Sequence, residues 1–139
     1  MSFTASAHPI DGTLRHEIDV NGRHTIITDE PASLGGADSG PTPHELLPAM
    51  VASCVSTMIT LYARRHDWEI AGTRVDVAYD PETTPRQLEL AVHLPAELDA
   101  DQIARLRRVA DTCPVRRAFE AGLAFKEEIV LDAPVAASV

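Results

Sequence analysis

Basic residues are scarce in this chain: 12 lysines and arginines stand against 21 aspartates and glutamates, a formal net charge of −9. Nucleic-acid phosphates are gripped by a concentrated basic face, so a nucleic-acid partner is excluded. Arg64-Arg65 and Arg105…Arg107-Arg108 are local groups on expected helices and read as solvated faces or helix ends. The opening residues Met1-Ser2-Phe3-Thr4-Ala5-Ser6-Ala7 lack a basic stretch and a long apolar core, so no secretory signal is expected. Residues 46–62 are strongly apolar, but Pro48 and the flanking His44, Glu45, Arg64 and Arg65 leave the run shorter than a bilayer needs, and no membrane partner is expected. Metal spacing is missing as well: there is no Cys-x-x-Cys and no His-x-x-x-His, and His8, His16, His24, His44, His66 and His93 are scattered. Gly35-Gly36 has no strand before it at the spacing a phosphate cradle requires. No metal and no cofactor is expected.

With 45% hydrophobic and 24% charged residues over 139 positions, the composition suits one globular domain with a core of useful size. That domain is read over 1–139, with a frayed tail at 133–139. Alternation predicts strands over 14–20 and 23–28, hinged at Asn21-Gly22, because both central residues of a tight hairpin turn need positive φ. A further strand is expected over 3–7. Residues 29–41, rich in Gly, Pro and small polar side chains, read as a loop without regular structure. Thr42-Pro43-His44-Glu45 reads as a helix start, with Thr42 as cap, Pro43 in the first turn and Glu45 closing a capping box. Pro48 removes a hydrogen bond and crowds the preceding turn, so either the helix kinks there or the main helix begins near it and runs to His66. Strands are expected again over 74–79 and 88–94, around a polar turn at 80–87. Asp99 with Gln102 starts a second helix striped by Ile103, Leu106, Val109 and Ala110. Pro114 opens a short third helix that Gly122 ends, and a last strand is expected over 124–131. Strands and helices come in runs rather than strict alternation, which favours an α+β fold with a mainly antiparallel sheet.

Only two cysteines occur, Cys54 and Cys113. With no export signal, the reducing cytoplasm is the expected compartment, where a standing disulfide is disfavoured and a transient one is not. Cys54 shares a helix face with Met50, Val51, Met58 and Leu61, a setting equally compatible with a small buried hydrophobe. Cys113, just before Pro114, falls at a helix N-cap, a position cysteine fills less well than serine or aspartate. There its sulfur meets free N–H groups and the positive end of the helix dipole, with Arg116 and Arg117 nearby, all of which favour a thiolate. Together the two suggest a redox pair joined only by folding, one sulfur oxidised to a sulfenic acid and the other resolving it.

The run Gly35-Gly36…Gly40-Pro41-Thr42-Pro43-His44-Glu45-Leu46-Leu47…Ala52-Ser53-Cys54, then Tyr62-Ala63-Arg64-Arg65, then Cys113-Pro114-Val115, resembles the OsmC/Ohr family over residues 14–131. That resemblance implies an OsmC-like α+β fold: a long buried central helix against a curved, mainly antiparallel sheet, in an intertwined homodimer. It implies thiol-dependent reduction of organic (alkyl or lipid) hydroperoxides in oxidative or osmotic stress defence. Cys54 would be the peroxidatic cysteine and Cys113 the resolving one, with a dithiol reductant of the lipoyl type restoring the pair. The family's reductases place a glutamate directly after the proline matched by Pro43, and an arginine just before the Asp-Gly matched by Asp11-Gly12. The two form an ion pair that lowers the thiol pKa and orients the peroxide. Here His44 and Ile10 hold those positions, and Glu45 with Arg15 (or Arg23) are the substitutes expected. The departures resemble the OsmC-like branch, and keep open a stress-associated binding module or another thiol-redox protein without peroxidase activity.

Overall fold

Asn21 and Gly22 both take positive φ, 53° and 65°, as the hairpin requires, and the Arg23 N–H closes the turn on the Val20 carbonyl at 3.1 Å. The chain is described over residues 1–132 by a computed structural model. Around the turn, β2 (His16–Val20) pairs antiparallel with β3 (His24–Thr28), and β1 (Ala5–Pro9) pairs with the other edge of β2. β1 is displaced from the 3–7 that alternation predicts and ends on Pro9 opposite His16. Proline is tolerated there because an edge strand bonds on one side only. β2 begins at His16 rather than at residue 14, since the preceding residues form a turn closed by Ile10 N–H to the Arg15 carbonyl at 2.9 Å.

Residues 29–41 are more ordered than their composition suggests, with a 3₁₀ turn at Ala32–Leu34. Asp29 N–H donates to the Pro41 carbonyl at 3.2 Å and Asp38 N–H to the Glu30 carbonyl at 3.0 Å. The segment folds so tightly that a Cβ on Gly36 would meet the Glu30 carbonyl oxygen, and one on Gly40 would lie 2.9 Å from that of Ile27.

The loop delivers the chain to α1 (Pro43–Arg65), which the expected capping box opens: Glu45 N–H donates to Thr42 Oγ1 at 3.2 Å and Thr42 N–H to Glu45 Oε2 at 2.7 Å. The helix runs for 23 residues through Pro48, so the proline does not separate a first turn from the main helix. The hydrogen bond that Pro48 removes is offset by burial further along the helix. Val51, Val55, Ile59 and Ala63, spaced four apart, are all fully buried, against β4 (Arg74–Tyr79), α2 (Ala100–Asp111) and α3 (Pro114–Ala121). α1 is long and apolar enough to cross a membrane, but this stripe makes it a core helix. β4 pairs antiparallel with β5 (Leu88–His93), turning Val75 and Val77, then Leu88, Leu90 and Val92, toward the core. Asp99 and Gln102 cap α2 reciprocally, which sets Leu106 and Ala110 on α1.

Among the described residues the strands form two antiparallel sheets, of three and two strands. α1 buries its Val51–Ala63 stripe, with Met50 and Leu61 on its other side 46% and 42% exposed. One expectation is corrected. No strand forms over 124–131: beyond α3 the segment is exposed, Phe125 and Leu131 almost fully so. A strand exists only where a neighbouring edge receives its N–H and C=O groups, and within the described residues no strand lies beside this one. The tail expected to fray, 133–139, lies outside the described residues.

Candidate active site

Packing α3 across α1 brings together two cysteines that stand 59 residues apart in the chain. Cys113 is the N-cap of α3, as its place before Pro114 predicts, and is fully buried. The first N–H groups of any helix have no intrahelical acceptor, and here the Cys113 sulfur takes one of them. Arg116 N–H donates to Cys113 Sγ at 3.4 Å, and the Cys54 sulfur lies beside the Cys113 thiol and the Val115 N–H. Both cysteines are free thiols. Cys54 sits on the border of the core, for the face it was expected to share divides: Val51 is buried, Met58 half-buried, Met50 and Leu61 exposed. Burial first, and then the Cys113 thiol, push the Cys54 pKa above the ordinary thiol value, while the Val115 N–H works the other way.

Arg116 projects from the same turn. Its guanidinium is held by Asp111 Oδ1 at 2.9 Å from α2 and by Glu120 Oε1 at 2.9 Å from its own helix. Arg117 turns away instead, its Nε donating to the Asp111 carbonyl at 3.3 Å. Two clefts meet at Arg116 and Leu90. One, of about 390 Å³, lies between the β4–β5 hairpin and α3, with Val51, Leu88 and Phe119 in its wall and Arg86 and Glu120 on its rim. The other, of about 270 Å³, runs between β5 and α2.

Glu45 and Arg15 are placed elsewhere in the chain. Glu45 lies nine residues before Cys54, about 13 Å along the helix and half a turn around it, and its carboxylate is taken by the capping box. Arg15 Nη1 donates to Ser39 Oγ at 2.6 Å, and that hydroxyl donates to Asp29 Oδ2 at 2.5 Å. Arg15 thus braces the 29–41 loop against β2. Asp29 is buried, and the Ser39 hydroxyl, helped by the Glu30 N–H, holds its carboxyl down at about 2. Arg23 is exposed at the end of the hairpin, and the His44 ring stands edge-on to Tyr79, 6.5 Å between centroids. Sequence reasoning missed the Val115 N–H and the two carboxylates on Arg116. The signals were there: Val115 is the second residue of a proline-opened helix, and Glu120 follows Arg116 by four.

Fold and site together define a class: an α+β protein in which a cysteine of a long central helix meets a second that caps a later helix. The family model described as OsmC-like protein matches residues 36–128, and the chain belongs to the OsmC/Ohr family. It is similar to a solved structure from Psychrobacter arcticus 273-4, described as an osmotic stress induced and detoxification response protein. The two are 30% identical, with 85% of this chain and 88% of that one covered and a TM-score of 0.69. An organic hydroperoxide resistance protein OsmC from Legionella pneumophila shares the fold at 21% identity, covering 86% and 89%, with a TM-score of 0.59. An OsmC-like protein from Mycoplasma pneumoniae shares it at 17% identity, covering 86% and 88%, with a TM-score of 0.66. No curated protein matches the chain.

Proposed function

We propose that this protein is a cytoplasmic thiol peroxidase that reduces organic hydroperoxides, with Cys54 peroxidatic and Cys113 resolving. The observation that carries the reading is that folding makes neighbours of the two thiols at the first turn of α3, where Cys113 Sγ accepts the Arg116 N–H. The Cys54 thiolate attacks the terminal oxygen of R–O–O–H. The O–O bond breaks, an S–OH forms, and the alkoxide takes up a proton to leave as an alcohol. Sulfur is oxidised by two electrons and the peroxide reduced by two. Cys113 then displaces hydroxide from the sulfenic acid and closes a disulfide, which a dithiol of the lipoyl type reopens by thiol–disulfide exchange. Cys54 is partly exposed and Cys113 fully buried, which supports this division of roles. The apolar neighbours Val51 and Met58 favour an organic peroxide over hydrogen peroxide.

The proposal includes a homodimer. Met50 and Leu61 on α1, every residue of β1, and Phe125, Ile129 and Leu131 beyond α3 are exposed in the single chain, more apolar surface than a lone subunit ordinarily leaves uncovered. The test is consumption of cumene hydroperoxide with dihydrolipoamide as reductant. Wild type turns over and Cys54→Ser does not; a Cys54→Ser protein with the wild-type rate ends the reading. The raised pKa of Cys54 favours a second reading, a thiol-redox or binding module without peroxidase activity, and that reading expects no turnover from wild type.

A further inference from the structure

The cleft of about 390 Å³ between the β4–β5 hairpin and α3 is built on the same two helices as the thiols. It reaches down to Val51, which precedes Cys54 by three residues and so neighbours it on the helix surface. Its far wall is α3, with Arg116 and Phe119. Leu88 and Leu90, alternating to the inner face of β5, complete an apolar lining. The volume falls in the range of small-molecule sites, about 300–1,000 Å³.

Three charged side chains line this cleft: Arg86, Arg116 and Glu120. Arg116 and Glu120 are spent on each other at 2.9 Å, and Arg116 is held by Asp111 as well. Arg86, at the mouth, is left over, with no ion pair among the described residues. The carboxylates closest to it in the hairpin are turned elsewhere. Glu89 alternates to the outer face of β5, where it accepts from Gln87 Nε2 at 3.1 Å. Asp80 accepts the Glu82 N–H of its own loop at 2.9 Å. In a chain with a net charge of −9, an unmatched cation therefore stands over an apolar cleft. Its complement is an apolar chain with an anionic head. One arginine fork, with no second free cation beside it in the cleft, suits a planar monoanionic carboxylate better than a doubly charged phosphate.

We infer that this cleft binds an alkyl monocarboxylate, its chain against Val51, Leu88, Leu90 and Phe119 and its carboxylate on Arg86. The ligand carries no peroxide group and binds without covalent change, so the inference stands whether or not the protein reduces hydroperoxides.

The experiment is isothermal titration of the reduced full chain with octanoate and with octanamide, which keeps the alkyl chain and replaces the charged head by a neutral one. Wild type binds octanoate more tightly than octanamide by about fivefold, the worth of one ion pair at a solvated rim. Arg86→Gln removes that preference and leaves octanamide binding as it was. Arg107→Gln, in the neighbouring cleft between β5 and α2, keeps it. Phe119→Ala, at a side chain already 39% exposed, weakens both ligands alike. Added salt weakens octanoate and spares octanamide, because a rim ion pair is screened. Absence of octanoate binding, equal affinity for the two ligands in wild type, or a preference that survives Arg86→Gln overturns the assignment. Peroxide turnover, measured separately with cumene hydroperoxide, bears only on the peroxidase reading.

Discussion

Oxidising the cysteine pair should stabilise the fold, and by an amount the chain length sets. A bond between Cys54 and Cys113 closes a loop of about 60 residues. In the chain-entropy account this removes roughly 14 cal/mol/K from the unfolded ensemble, or about 4 kcal/mol at 25 °C. The two cysteines are already neighbours in the reduced fold, on the packed helices α1 and α3. For a chain of this size the gain corresponds to a rise in Tm of roughly 15 °C. The assay is urea and thermal unfolding of the reduced protein and of protein treated with one equivalent of hydroperoxide, with the bond verified by non-reducing mass. Cys54→Ser and Cys113→Ser proteins, unable to form the bond, should show no shift on the same treatment. If the bond is present and the two forms unfold within about 1 kcal/mol of each other, the entropic reasoning is wrong. If the bond never forms, the contact between the thiols is not a redox contact.

Asp29 makes a prediction in pH. Its carboxyl is held at about 2 against 3.8 when unfolded, so its stabilisation is present above about pH 4 and is lost as pH falls toward 2. Comparing Asp29→Asn with wild type in urea from pH 6 to pH 2 should show a gap that closes through that window; a gap independent of pH refutes it. Gly36→Ala should lower stability by roughly 1–3 kcal/mol, because its Cβ meets the Glu30 carbonyl and the loop backbone must shift. Gly35→Ala meets nothing within 4 Å and carries only the left-handed penalty at φ 89°, about 1 kcal/mol, and the urea midpoints should fall in that order. The rate of Cys54 alkylation by iodoacetamide should rise with pH to a midpoint above that of a cysteine peptide, and the midpoint should move down in Cys113→Ala, which removes a neighbour that raises it. A wild-type midpoint at or below the peptide value contradicts the burial account.

Much of this molecule is legible along the chain because the relevant physics is local. Asn21-Gly22 demands positive φ wherever it stands, Thr42 with Glu45 and Asp99 with Gln102 satisfy helix ends within four residues, and Pro114 places Cys113 at a cap. Each of these is seen in the fold. The alternation of 74–79 and 88–93 likewise reads directly as a hairpin with one buried face. Pro48 leaves two outcomes open along the chain because a local penalty, one lost hydrogen bond, competes with a buried stripe of four residues that only the packed state rewards. The 124–131 segment misleads for the converse reason: its pattern is that of a strand, but alternation cannot supply the edge it would pair with.

The site divides along the same line. Sequence alone determined that one cysteine rides a long apolar helix and the other caps a short one, and which family pattern they complete. Tertiary structure alone decided that they become neighbours, since 58 intervening residues place no constraint on that distance. It also decided that Glu45 and Arg15 serve the cap and the loop within this chain, and that Arg116 is held between Asp111 and Glu120. Local rules reach about one helical turn; the charge around a buried thiol is set by whatever other elements pack against it.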